Sequence, residues 1–250
     1  MRPRPAYPVG AGDSRACARS SRLRACRPAM KEEAKLRAFI ALRLGSALEQ
    51  QLGRLIEELR RPGDGVRWVD REKLHVTLFF LGEAVSAARL TRLCDELAAA
   101  AQKLAPFEVT ARGLGGFPTM TRARVIWIGL DSPELVATAR AVRAAAVRCA
   151  FTPERRPYAP HLTIGRVADP GRLRLPPGAL QDSLDRVFGT ARVCWFSLVE
   201  STLTPAGANY RELQRFELGP GLERAPADAL VGPATGGPGC TEPQDRGGTR

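Results

Sequence analysis

Three features of the 250-residue sequence predict an α+β fold made of two similar halves on mixed or antiparallel sheets. Strand-like and helix-like periodicities alternate through the middle of the chain, and the connections between them are short. The only two histidines each open the same four-residue pattern, His75-Val76-Thr77-Leu78 and His161-Leu162-Thr163-Ile164. In an extended strand successive side chains point to opposite faces. Each pattern therefore sets a His and a Thr on one face and two apolar residues on the other. Short connections and a hairpin favour antiparallel pairing, because parallel neighbours need long crossovers.

The elements follow in order. Residues 36–44 read as a strand. Ser46-Ala47-Leu48-Glu49 forms a capping box for a helix whose Leu48, Leu52, Leu55, Ile56 and Leu59 share one face, and Pro62-Gly63-Asp64-Gly65 ends it. Strands follow at 66–69 and 73–81, the second carrying His75. A helix over 86–104 turns Leu90, Leu93, Cys94, Leu97 and Leu104 inward.

In the second half, strands at 107–114 and 124–130 flank a loop containing Gly115-Gly116-Phe117-Pro118. Ser132 as cap and Pro133 in the first turn start a helix to about residue 150, with Leu135, Val136, Ala139, Val142 and Val147 inward. The strand at 160–167 carries His161. A short helix at 179–188 precedes strands at 191–203 and 210–218, joined as a hairpin through Pro205-Ala206-Gly207. A helix followed by a His-x-Thr-x strand recurs 86 residues later, which predicts internal duplication and pseudo-twofold symmetry. With the His-bearing faces opposed, both imidazoles line one central cleft.

Composition bounds the rest. At 44% hydrophobic residues the chain can bury a core, and no apolar run approaches the roughly 18 residues of a membrane-spanning helix. The six cysteines include no Cys-x-x-Cys pair, which speaks against structural zinc; Cys94, Cys149 and Cys194 read as buried thiols in a reducing compartment, the cytoplasm. Residues 1–29 read as a disordered Arg/Pro-rich extension whose prolines oppose the helix of a transit peptide. Residues 219–250 read as a disordered Gly/Pro-rich tail. The net charge of +12 divides as +6 on residues 1–29, −1 on 219–250 and +7 on the folded segment 30–218, which favours a polyanion such as RNA.

Imidazole is the side chain whose ordinary pKa, about 6.5, suits it to be acid or base near neutrality. One neutral His can take a proton from water while a second, protonated, donates to a leaving oxygen. In-line displacement at phosphorus needs those groups on opposite sides of the phosphate. A Thr beside each His can donate to a non-bridging oxygen. Two His without nearby Cys or paired carboxylates fall short of a catalytic zinc site, so the expectation is a metal-independent enzyme with no cofactor. Arg166 is a further candidate, either for substrate phosphate or as a charge at a strand end. Trp68 and Phe117 read as core or as base-stacking rings, and Glu200 and Ser201 as site-facing or merely mid-strand.

The segments Leu74-His75-Val76-Thr77-Leu78-Phe79-Phe80-Leu81-Gly82 and Pro160-His161-Leu162-Thr163-Ile164-Gly165-Arg166 resemble the two signature motifs of the 2H phosphoesterase superfamily. Within it the chain is most similar to the RNA 2′,3′-cyclic phosphodiesterases, long called 2′-5′ RNA ligases. Arg37-Ala38-Phe39-Ile40-Ala41-Leu42, Val125-Ile126-Trp127-Ile128-Gly129 and Pro205-x-Gly207-x-x-Tyr210 add to the likeness, which covers residues 36–218. The resemblance implies a bilobal fold, two mostly antiparallel sheets flanking a central cleft with helices outside. It also implies hydrolysis of an RNA terminal 2′,3′-cyclic phosphate to a 2′-phosphomonoester. His75 would then be the proton donor, His161 the acceptor, and Thr77 and Thr163 the phosphate ligands.

Reversal of the same chemistry would join a cyclic phosphate to a 5′-hydroxyl. A monomer acting on RNA ends or cyclic nucleotides, away from membranes, is the expectation. The alternatives are a phosphodiesterase for 2′-5′ linkages or other small cyclic nucleotides, and a non-catalytic RNA-binding module.

Overall fold

The computed structural model describes residues 35–220 apart from 180 and 206. Most of both predicted tails, with Cys17, Cys26 and Cys240, lies outside the described residues. Within the described residues nine strands and three helices follow one another: β1 (Lys35–Leu42), α1 (Ser46–Leu59), β2 (Val66–Trp68), β3 (Val76–Ser86), α2 (Ala87–Ala101), β4 (Phe107–Phe117), β5 (Val125–Asp131), α3 (Pro133–Arg148), β6 (His161–Val167), β7 (Val187–Val193), β8 (Trp195–Thr204) and β9 (Gly207–Glu217). They form two antiparallel sheets, ordered β3-β1-β8-β9 and β2-β6-β5-β4-β7. None of the described helices is long and apolar enough to cross a membrane.

The predicted twofold is present in the strand order but not in the chain's two halves. Counted from the histidine strand inward, β3-β1-β8-β9 matches β6-β5-β4-β7 position for position. Yet β8 and β9, last in sequence, complete the first sheet, while β2 crosses to the second. The helices are exchanged as well: α1 packs against β7, and α3 lies against β3 and β4. A single hydrophobic cluster consequently includes Ile40, Leu78 and Leu198 of one sheet and Ile126, Leu162 and Val109 of the other.

The helices bury the faces that their periodicity marks, with local corrections. In α1, Leu48, Leu52, Leu55, Ile56 and Leu59 are all buried. The capping box does not form: Gly45 occupies the cap position with φ of 80°, and no side chain caps the helix. Glu49 is taken instead by Arg43, which donates from Nε to Oε1 at 2.9 Å and from Nη2 to Oε2. A charged partner outcompetes the neutral backbone N–H. In α2 the helix stops at Ala101, leaving Leu104 half-buried beyond it.

Ser132 caps α3 as predicted, accepting from Leu135 N at 3.3 Å. The buried stripe there runs Leu135, Ala139, Val142, Ala146, so Val147 falls one residue off it and is 48% exposed. The short helix expected at 179–188 is replaced by a 3-10 turn, Gln181–Ser183, and by β7, which pairs with β4. The strand expected at 191–203 is two strands, broken at Cys194 where the chain passes from one sheet to the other. Cys94 and Cys149 are buried free thiols and Cys194 is half-buried; burial pushes the Cys94 thiol up to about 12.

The turn before β2 is tied by one carboxylate. Asp64, 5% exposed, accepts from Arg61 N at 3.0 Å, Val66 N at 2.8 Å and Trp68 Nε1 at 2.8 Å. Burial alone would raise its pKa, but these hydrogen bonds outweigh burial and hold it below the ordinary carboxylate value. Asp64→Asn sets an amide NH2 against at least one of these three donors and is expected to cost about 2 kcal/mol in chemical denaturation. Because the folded-state pKa is depressed, this stabilisation is present above the unfolded carboxylate's pKa and is lost as pH falls through the lower folded value. The stability difference between wild type and variant should accordingly shrink in strong acid.

Candidate active site

Both histidines are set at the start of a strand by the same local device. His75 immediately precedes β3, and its Nδ1 lies 2.8 Å from the carbonyl oxygen of Lys73. His161 is the first residue of β6, and its Nδ1 lies 2.8 Å from the carbonyl oxygen of Ala159. A carbonyl oxygen can only accept, so in each ring Nδ1–H is the donor. That fixes the tautomer and leaves Nε2 as the nitrogen that can take or give a proton.

Aromatic rings hold both imidazoles. His75 lies 5.1 Å from Phe39 and 5.0 Å from Tyr210, and those two rings meet edge-on at 5.3 Å. Phe117 stands edge-on to His161 at 5.0 Å and leans on Trp127 at 5.2 Å. These spacings fall in the range where aromatic pairs attract beyond their buried area. Of the rings weighed from sequence, Trp68 is core, whereas Phe117 belongs to the site. Phe39, Tyr210 and Trp127 were not singled out as site residues, although all three lie within the segments that carry the family resemblance.

The threonines stand one pleat along. Thr77 pairs with Ala41 and Thr163 with Trp127; both are half-buried, and neither hydroxyl has a hydrogen-bond partner among the described residues. After each Thr the ladder slips. Thr77 and Phe79 oppose consecutive residues of β1, and Thr163 and Gly165 oppose consecutive residues of β5, which leaves Leu78 and Ile164 as bulged residues. A bulge reverses the alternation that follows it. Gly165 thus turns to the buried side with Ile126 and Trp68, and Arg166 joins Val125 on the face of His161 and Thr163. Strict alternation places Arg166 on the far face; the bulge brings it to the near one. Ser201 also reaches this region from β8, buried and accepting from Arg37 Nη1 at 2.9 Å, while Glu200 pairs with Arg211.

The two motif strands belong to different sheets but run against each other. The histidine pair is electrostatically coupled: burial first, then the charges of Arg166, Arg43 and His161, hold His75 below the ordinary imidazole value, against the opposing pull of its bond to Lys73. His161 and Arg166, on β6, are thus close enough across the contact of β3 and β6 for their charges to act on His75. Among the described residues no cluster of three or more His, Cys, Asp or Glu side chains is placed to hold a metal ion. A surface groove of about 830 Å³ lies elsewhere, between α1 and the Arg71–Lys73 turn, where arginines and acids alternate and no histidine is present.

The chain has counterparts among known proteins. The sequence profile of the 2′-5′ RNA ligase superfamily matches residues 47–200, which include both histidines and both threonines. The chain belongs to that superfamily. One relative, named RNA 2′,3′-cyclic phosphodiesterase, from Methanothermobacter thermautotrophicus, is 37% identical over 186 residues, 74% of this chain and 100% of the relative. Another of that name, from Thermotoga maritima, is 30% identical over 198 residues, 76% of this chain and 99% of the relative. Among solved structures, TT0787 of Thermus thermophilus superposes with a TM-score of 0.63 at 30% identity, covering 74% of this chain and 99% of that one. E. coli LigT complexed with 3′-AMP gives 0.61 at 26% identity, covering 74% and 98%.

The flat seat of Trp127 is what this superfamily member uses to brace Phe117 and, through it, His161. A Cβ at Gly115 would come 2.3 Å from Trp127 Cζ2 and 2.4 Å from Cη2, so only glycine lets the ring lie on β4. Gly115→Ala is expected to cost about 1–3 kcal/mol in denaturant unfolding through overpacking. An unchanged unfolding midpoint would show that the ring does not need this seat.

Proposed function

We propose that this protein hydrolyses the 2′,3′-cyclic phosphate at the end of an RNA to a 2′-phosphomonoester, by metal-independent general acid–base catalysis from His75 and His161. The observation that carries the reading is the matched pair of imidazoles. Each presents Nε2 through the same Nδ1–H bond to a carbonyl two residues earlier, each with a free Thr hydroxyl beside it, on strands from opposed sheets. The relatives named RNA 2′,3′-cyclic phosphodiesterase support the substrate.

In this mechanism neutral His161 takes a proton from water as its oxygen attacks phosphorus. The bond from phosphorus to the 3′-oxygen breaks, and protonated His75 delivers its proton to that oxygen. Thr77 and Thr163 donate to the non-bridging oxygens, and Arg166 adds positive charge where the transition state gathers negative charge. With a 5′-hydroxyl in place of water, the same steps run toward a 2′-5′ linkage. The donor role of His75 follows the family resemblance. In the free protein burial and the neighbouring Arg166 and Arg43 charges oppose its protonation, and a bound phosphate anion supplies the opposite charge that restores it.

Three measurements test the reading. His75→Ala or His161→Ala should each lower kcat on a 2′,3′-cyclic nucleotide by about 10²–10⁴-fold, and activity should survive EDTA. Full activity in either variant would sink the assignment. Salt-sensitive RNA binding without any turnover would instead favour the non-catalytic module. The pH profile carries the sign of the His75 shift: the alkaline limb of kcat/KM, set by the free enzyme, should lie below the ordinary imidazole value of about 6.5, and that of kcat at higher pH. Coincident limbs would remove the role given to substrate charge.

A further inference from the structure

The twofold relation between the sheets fails at β2, which adds a fifth strand beside β6 and has no counterpart beside β3. Its central residue, Arg67, is the direct antiparallel partner of Arg166. Directly opposed residues project from the same face of a sheet, and the bulge at Ile164 makes that the face of His161 and Thr163. Both arginines are exposed, and among the described residues neither side chain has a carboxylate partner. Like charges directly opposed on adjacent strands destabilise a sheet, so this pair carries a cost that a shared anion would relieve.

The charge continues outward. The turns Met120–Arg122 and Pro170–Arg172 touch each other at this end of the sheet and bring Arg122, Arg124, Arg172 and Arg174, all exposed. Asp169 is the one acid in segments 118–124 and 168–175, and it lies 3.9 Å from Arg172.

We propose that Arg67, one strand beyond Arg166, begins a track for the phosphodiester backbone of an RNA strand. The enzyme would then prefer a cyclic phosphate at the end of an oligonucleotide to one on a lone nucleoside. This rests on the phosphodiesterase reading above. Thr163 and Arg166 oppose Trp127 and Val125, two residues apart on β5, so they stand roughly 7 Å apart along the sheet, and Arg67 lies one strand spacing of about 4.8 Å to the side of Arg166. With Arg166 facing the phosphate held between the histidines, Arg67 on the next strand is offset from it toward the next phosphate along an RNA strand. A nucleoside 2′,3′-cyclic phosphate has no such second phosphate, whereas an oligonucleotide does.

The test compares kcat/KM for cytidine 2′,3′-cyclic phosphate with that for a tetraribonucleotide ending in the same cyclic cytidylate, at several salt concentrations. Wild type should favour the tetramer, with a preference that falls as salt rises. Arg67→Ala should lose about tenfold of that preference through KM and show a salt slope shallower by about one phosphate contact, while Arg67→Lys keeps most of it. Because each variant is compared with itself on two substrates, a general loss of fold cancels. A preference within twofold of wild type in Arg67→Ala overturns the inference, as does an equal loss on both substrates. If wild type turns over both substrates alike, the track fails and the phosphodiesterase reading stands. If it turns over neither, that reading fails and takes the track with it.

Discussion

What the two histidines can do depends on a strand's two-residue period being kept for three residues and then broken. Period two puts His and Thr on one face and seals Val76 and Leu162 beneath them at 0% exposure. The bulged fourth residue then resets the alternation, bringing Phe80 opposite Phe39 in one sheet and Arg166 opposite Val125 in the other. The same backbone irregularity therefore ends one motif with an aromatic ring and the other with a cation. The site's chemical asymmetry is built on a symmetrical backbone.

The exchange of elements between sheets makes the site a property of the whole fold. Neither half of the chain closes its own sheet: the first needs β8 and β9 from the end, and the second needs β2 from the beginning. α1 likewise packs on the opposite sheet, and α3 lies against β3 of the opposite sheet as well as β4 of its own. A displacement of one motif strand relative to the other would therefore disturb a core shared by both. That coupling suits a reaction in which two proton-transfer groups must stay on opposite sides of one phosphate.

Electrostatics add a direction to this geometry. Arg166, Arg43 and His161 all bear on His75, and Glu49 is drawn away onto Arg43. An anion arriving between the sheets would meet positive charge and two free hydroxyls, and its own charge would favour the protonated imidazole that the proposed proton donor has to be. Desolvation and neighbouring cations thus act on the free protein in one sense and a bound phosphate in the other.

Much of this was legible in the chain. Helix faces follow from the 3.6-residue period, and the repeated His-x-Thr-x fixes which side chains share a strand face wherever strands form; α1 and both motifs obey these local rules. The misreadings arise where a local rule meets a distant partner. Glu49 serves Arg43 rather than its own helix, residues 187–193 become a strand because β4 offers an edge, and Cys194 divides two strands because they belong to different sheets. By itself the sequence determined the three long helices, their buried faces, most of the strands and the identity of the paired histidines, since these depend on neighbours a few residues away. Only the tertiary structure decided which strands pair, where the ladders slip, and hence that Arg166 and Arg67 share a face with His161, because hydrogen-bond register between strands leaves no period in the sequence of either one.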